Sequence, residues 1–200
     1  PCTVIDDSLH LLHGMIVSRM EGKDAILTAS LEGLTIFLGN QGKWDRRSLA
    51  SGIQEADRLT GCSEVAVGHW RTGEKFLATI DPWHGHQVSV YSPFSMESDR
   101  EMQRTVIDDS YKTGHAIAAG DFDKDGEDEI VAGYRGEGYS LYYYDNSSQG
   151  EKTWIRSLLS RDLAVQGLAV ADINADGLLD LAASGGQTHN VVLFVNRGLT

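Results

Sequence analysis

The chain is short of the residues that would place it in several common classes. Its 200 residues include two cysteines, Cys2 and Cys62, and three prolines. Two thiols cannot build the disulfide framework of a small secreted scaffold, and they leave the redox compartment open. Lys and Arg number 17 against 29 Asp and Glu, a formal net charge of −12. Nucleic acids and anionic lipid surfaces require clustered basic residues, so a nucleic-acid partner is excluded. No apolar run approaches the roughly 18 residues of a membrane-spanning helix, which excludes insertion by that route. A Ser nucleophile elbow, a phosphate loop, a dinucleotide fingerprint and a CxxC pair are all missing, and with them the commonest enzyme templates. The chain opens at Pro1 without Met or a basic leader, so any signal peptide is expected to lie outside it.

What is present points to one fold class. Twenty-two glycines punctuate many short β-branched and aromatic runs, the composition of an all-β chain. Residues 3–13 read TVIDDSLHLLH and residues 105–115 read TVIDDSYKTGH, an offset of 102. Half of that offset separates Asp121 from Asp172, in DFDKDGEDEI and DINADGLLDL. Units of about 51 residues therefore span 9–60, 61–111, 112–164 and 165–200. Each holds a small apolar run (15–18, 65–68, 117–120, 168–171) and a second after a polar turn (25–30, 76–80, 130–134, 181–184). A third run follows (34–39, 87–92, 139–144, 190–195), and the first three units add a fourth (44–50, 104–108, 154–160). Four strands per unit without helices predict a β-propeller with four-stranded blades. Residues 1–8 match the outer strand of the second unit, whereas the fourth unit lacks one. Two arrangements fit: residues 1–8 close a four-bladed ring, or the four units belong to a larger ring in a longer parent chain with further blades or domains.

Two of the first-to-second turns carry oxygen ligands at fixed spacing. Asp121, Asp123, Asp125 and Glu129 in the third unit match Asp172, Asn174, Asp176 and Asp180 in the fourth, with Gly126 and Gly177 in the sixth place. Positions 1, 3, 5 and 9 of such a loop suit a hard cation, Ca²⁺ with Mg²⁺ as the other candidate, in a structural role. An EF-hand fails because its twelfth position falls on Ala132 or Ala183 inside an apolar run. The first two units carry Arg19 and His69 near the first ligand position, so no metal is expected there. Two bound Ca²⁺ would move the formal charge from −12 to −8.

The histidines follow a different logic. In an up-and-down blade, the lead-in to the first strand and the second-to-third turn share one end of the sheet. His10, His13 and His115 fall in the former, and His84, His86 and His189 in the latter, in DPWHGHQ and GGQTHN. Arg135 and Tyr134 occupy the corresponding turn of the third unit, and Glu64 and Gln166 the lead-ins of the second and fourth. Imidazoles, a carboxylate, an arginine and Trp83 around one channel mouth suit a carbohydrate, a His-bound cation such as Zn²⁺, or both.

The acidic loops resemble the FG-GAP/VCBS propeller repeat, with its calcium loops. The stretches 63–91 and 106–136 are similar to the propeller part of the aldos-2-ulose dehydratase/isomerase group and related bacterial proteins. That resemblance implies a carbohydrate lyase acting on 1,5-anhydrofructose or glucosone-like aldosuloses; the cupin-type domains of that family are not visible here. On this reading His84 and His115 are the base and acid candidates, with His13 and His86 as partners or metal ligands. Arg135 stabilises developing charge, and Trp83, Glu64, Gln166, His189 and Tyr134 contact substrate. The competing reading is a non-catalytic FG-GAP propeller used for adhesion or for binding a protein or small ligand. Calcium loops of this kind suit an extracellular or periplasmic location.

Overall fold

A computed structural model of the protein describes residues 2–20, 22–53, 60–95, 102–147 and 153–198. Fifteen strands are found among them, in four antiparallel sheets that follow one another along the chain. The first blade holds β1 (Gly14–Met20), β2 (Lys23–Ser30), β3 (Gly33–Asn40) and β4 (Lys43–Ala50). The second holds β5 (Glu64–His69), β6 (Lys75–Asp81), β7 (Gln87–Phe94) and β8 (Gln103–Asp108). The third holds β9 (Gly114–Gly120), β10 (Glu129–Tyr134), β11 (Ser140–Ser147) and β12 (Thr153–Ser160). The fourth has three strands, β13 (Val165–Ala171), β14 (Asp180–Gly185) and β15 (Asn190–Phe194). The chain is an all-β propeller of four blades, as the repeat grammar predicts.

Strand position within a blade explains strand composition. Middle strands are covered on both faces by neighbouring blades, so β10 (EIVAGY) is buried at every residue and reads as an unbroken apolar run. Outer strands are half solvated, so β4 (KWDRRSLA) mixes exposed charge with partly buried residues. Three cores join consecutive blades. Leu27, Leu34 and Ile36 meet Val65, Leu77 and Tyr91 between the first two. Phe76, Ile80 and Val88 meet Ile117, Ile130 and Tyr144 between the next two. Val131 and Leu141 meet Val165, Leu181 and Ala183 between the last two. Each large side chain so buried contributes about 1.5–3 kcal/mol. Close packing of the last pair needs Gly133, where a Cβ would strike the side chain of Val165. No such core joins the fourth blade to the first among the described residues, and Met15, Val17, Val191 and Leu193 are exposed at these two ends.

The repeated TVIDDS marks the passage from one blade to the next. Asp108, at the end of β8, accepts from Ser110 N (2.8 Å) and Ser110 Oγ (2.6 Å) through Oδ1. Its Oδ2 accepts from Arg156 Nη1 (2.8 Å) on β12 and from the Tyr144 hydroxyl (2.7 Å) on β11. Asp6 does the same on a smaller scale: Oδ1 accepts from Ser8 N and Oγ, both at 2.9 Å. Arg46 of β4 donates to Ser8 Oγ at 2.9 Å and lies 3.7 Å from Asp6 Oδ2. Residues 2–9 nevertheless form no strand, so the expected outer strand at 1–8 is not paired over its described part. The lead-in keeps its arginine clamp, but its described residues do not pair with β15, the last strand of the fourth blade.

Candidate functional site

Alternating strand direction puts each blade's lead-in and second-to-third turn at one end of the sheet, and the first-to-second loop at the other. At the first end, His13, Glu64, His115 and Gln166 occupy the same place in successive blades, 51 residues apart. The β6–β7 turn of the second blade reaches over them. It is held by Trp83 N donating to Thr60 O (3.1 Å) and by Tyr111 N and Gly114 N donating to His86 O (3.0 Å) and Gly85 O (2.9 Å). His84 takes a left-handed conformation (φ 48°) and Gly85 follows where a Cβ would run into Asp81 O and the Pro82 ring. That tight turn aims His84 at the lead-in of the third blade.

The result is a triangle of imidazoles. Ring centroids of His13, His84 and His115 are 4.7, 4.8 and 4.7 Å apart, and one ring nitrogen from each lies within 4.8 Å of the others. Trp83 stacks on His84 at 3.8 Å, meets His13 edge-on, and anchors its indole N–H on Leu11 O at 2.7 Å. Glu64 Oε1 approaches His13 Nδ1 to 2.6 Å, off the line of a hydrogen bond. His13 Nδ1, His84 Nε2 and His115 Nδ1 are all buried without a hydrogen-bond partner. Such orphaned polar atoms are unusual inside a protein, and a water, an ion or a ligand can complete them.

Burial, and secondarily the charges of neighbouring histidines and Arg135, pushes His84 down to about 4. His115 also falls to about 4, through burial and then Arg135 and His13, and His13 is lowered by burial and Arg135. Burial alone raises Glu64 to about 8. At neutral pH the cluster is three neutral imidazoles beside a protonated carboxyl. Arg135 Nη1 donates to Gln166 Oε1 (3.0 Å), which fixes the amide so that its N–H donates to His115 Nε2 (3.0 Å). With Nε2 accepting, the His115 proton sits on Nδ1, the buried ring nitrogen that has no hydrogen-bond partner.

The remaining mouth residues divide. His86 lines a cleft of about 610 Å³ together with Trp83, His84, Tyr111, Lys112 and Thr113. Lys112 and Thr113 escaped the sequence reading, although they sit in the same lead-in as His115. His189 is exposed at the β14–β15 turn, outside the triangle, and His10 pairs with Glu32 at 2.7 Å. Tyr134 is buried, its ring tilted against Tyr111 at 5.0 Å and its hydroxyl donating to Gly138 O at 2.6 Å, so it belongs to the core between the second and third blades.

At the other end, the two acidic loops share one design. Gly126 N donates to Asp121 Oδ2 (3.2 Å) as Gly177 N does to Asp172 Oδ2 (2.8 Å). Glu127 N and Leu178 N donate to Asp125 and Asp176 Oδ1, both at 2.8 Å, and Phe122 N and Ile173 N to Glu129 Oε2 (2.8 Å) and Asp180 Oδ2 (3.0 Å). Asn174 Oδ1 accepts from Asp176 N at 2.9 Å. Asp121, Asp123 and Glu129 bring carboxylate oxygens within 4.8 Å of one another. Burial, then the charges of Asp123 and Asp121, raises Glu129 to about 8. Crowded carboxylates and the orphaned, buried Asp121 Oδ1 fit a hard cation.

Comparison with known proteins matches two different stretches of the chain to two family models. A family model described as the aldos-2-ulose dehydratase β-propeller domain matches residues 1–94, and an FG-GAP-like repeat model matches residues 121–183. Aldos-2-ulose dehydratase of Phanerodontia chrysosporium is 28% identical over 150 residues, which is 64% of this chain and 16% of that protein. An α-L-arabinanase of Penicillium chrysogenum, solved with arabinobiose, superposes with a TM-score of 0.55 at 12% identity, over 92% of this chain and 56% of its own.

Proposed function

We propose that this chain, a propeller of FG-GAP-like repeats related to the propeller domain of aldos-2-ulose dehydratase, binds a 2-keto sugar in its histidine-lined mouth and dehydrates it. The observation that carries the reading is the His13–His84–His115 triangle, with its three unpartnered nitrogens beside a cleft of sugar size. The chain spans 16% of the length of the curated relative, so the activity is assigned from the site and not from that protein as a whole.

Dehydration next to a carbonyl needs a base, an acid and stabilisation of the enediolate. His84 is neutral at pH 7 and offers Nε2 to take the proton on the carbon beside the carbonyl. The electron pair moves onto the carbonyl oxygen, then returns to form the double bond as hydroxide leaves the adjacent carbon. His115 Nδ1–H, held in that tautomer by Gln166 and Arg135, hydrogen-bonds the departing hydroxide and passes it a proton as it takes up the one His84 accepted, so both imidazoles end neutral and one water is released for each enone formed. Glu64, protonated by burial, and His13 face the same space and donate to the enediolate oxygen. The free face of Trp83 supports the sugar ring while its other face restrains His84.

A His-bound cation such as Zn²⁺ is the alternative occupant of the triangle. It would supply positive charge for the enediolate when bound. It would also require the Gln166 amide to turn over and give up Arg135, because His115 Nδ1 carries a proton in the present arrangement. The acidic loops are proposed to bind Ca²⁺ as structural ions, with Mg²⁺ as the competitor, which accords with an extracellular or periplasmic setting. Non-catalytic ligand binding or adhesion would need no such convergence of proton-transfer groups.

The test is turnover of 1,5-anhydrofructose or glucosone, followed by absorbance of the enone, with metal analysis on the same sample. His84→Ala with His115→Ala should abolish turnover while leaving the melting curve intact. Full activity in that double variant would remove the proposal.

A further inference from the structure

The first-to-second loop of the second blade lacks the acidic ligands, yet it is built on the same frame. Arg71-Thr-Gly73 aligns with Lys124-Asp-Gly126 and Ala175-Asp-Gly177, and the three glycines share φ values of 83°, 87° and 87°. This loop docks on its neighbour. Asp128 N donates to His69 O at 2.8 Å, and Asp128 Oδ2 accepts from His69 N at 2.9 Å with the imidazole Nδ1 also 2.9 Å away. So anchored, Arg71 extends across the blade boundary and its Nη2 donates to Asp125 Oδ2.

Asp125 is the fifth-place ligand of the third-blade loop. Its neighbours Asp121, Asp123 and Glu129 already converge, and Asp125 is the predicted ligand missing from that group. One of its oxygens accepts the Glu127 amide, and the other is occupied by the guanidinium. We propose that Arg71 is a cross-blade latch on this loop: it holds Asp125 away from the cation position, and a hard divalent cation binds there in competition with the Arg71–Asp125 pair. The inference rests on the reading that the loop takes Ca²⁺, and deepens it by naming what sets the affinity.

The physics is direct competition. A carboxylate oxygen cannot serve a guanidinium and a divalent ion in the same geometry, and the two cations repel at contact range. The pair is half exposed, so screening keeps its worth small, and releasing it should change affinity by about three- to tenfold. The fourth-blade loop supplies a reference on the same frame. The residue equivalent to Arg71 is there Lys124, whose Nζ lies 3.4 Å from where a Cβ on Gly177 would stand. No ion pair joins Lys124 to Asp176 among the described residues; Asp176 Oδ2 accepts instead from Asn174 Nδ2 at 2.9 Å.

Calorimetric titration with CaCl₂ tests this in a background carrying Asp172→Asn and Asp176→Asn, two exposed changes that leave one loop to be read. Arg71→Gln should tighten calcium about three- to tenfold. The same change made with Asp125→Asn should give no gain, since the latch then has nothing to hold. Equal affinities with and without Arg71 would overturn the latch while leaving the calcium reading intact. So would an undiminished gain in the Asp125→Asn protein, which would show a general charge effect. Absence of binding heat in every variant would overturn the calcium reading and the latch together.

Discussion

The two ends of the propeller solve opposite problems with the same repeat. At the acidic end each proposed site is local: nine consecutive residues carry all the proposed ligands, and the third and fourth blades repeat one set of hydrogen bonds. At the histidine end no blade suffices. His13, Glu64, His115 and Gln166 are one residue from each of four blades, and the triangle forms only when the second blade's turn adds His84 to the lead-in histidines of the first and third. A local site can be duplicated by duplicating a blade. A site on the ring axis is composed by letting equivalent positions diverge, which is why chemistry is expected at the histidine end and stabilisation at the other.

The sharpest way to break that division is to cross the variants. Losing both His84 and His115 should abolish turnover, since each acid–base group is worth about 10²–10⁴-fold, while the calcium-induced rise in melting temperature persists. The reciprocal pair, Asp121→Asn with Asp123→Asn, should remove calcium stabilisation of about 2.7 kcal/mol at a hundredfold excess of ion over Kd, with turnover little changed. Thermal melts with and without calcium, paired with rate measurements, read both. If the loop pair abolished turnover at full folding, the two ends would not be separate devices.

How far each end was legible in the sequence follows from the same contrast. The loops announce themselves because ligand spacing lies within nine residues, and the blade grammar because β-branched runs recur at a fixed length. The triangle was legible only as a set of lead-in and turn positions. Nothing in the spacing distinguishes His84 from His86, two residues apart on one turn; the left-handed backbone at His84 and the Gly85 bend decide which ring points inward. Tyr134 shows the converse, since a residue at a mouth turn can send its ring into the core when Tyr111 is there to pack against it. Arg71 was invisible because its partner lies in the next blade.

A finer test separates positioning from chemistry within the mouth. Gln166→Leu removes the bridge from Arg135 to His115 without touching the orphaned nitrogens. It should lower kcat about tenfold, ~1.4 kcal/mol, and leave KM within about twofold, because the ring loses its fixed tautomer and not its place. Steady-state kinetics would show it. A rise in KM at constant kcat would instead make Gln166 a substrate contact, and the lead-in positions would then share one role.

The smallest expected effect concerns the two copies of TVIDDS, one at each kind of blade boundary. Asp108 is nearly buried and takes hydrogen bonds from Ser110, Tyr144 and Arg156, which together hold its carboxyl below the ordinary aspartate range against the opposing effect of burial. Asp108→Asn keeps the shape and loses the charge-assisted pair with a partly exposed arginine, a cost of about 1 kcal/mol. Because the folded pKa is depressed, this stabilisation is complete above the unfolded value near ~3.9 and is lost as pH falls through the lower folded value. The gap between wild-type and Asp108→Asn melting temperatures should therefore be full at neutral pH and close in acid. Asp6→Asn should have a smaller effect at every pH, since Asp6 sits on a solvated lead-in with Arg46 at 3.7 Å and no tyrosine behind it. Equal losses at the two sites would mean that the clamp acts within the lead-in itself, and that packing of a complete blade behind it adds nothing.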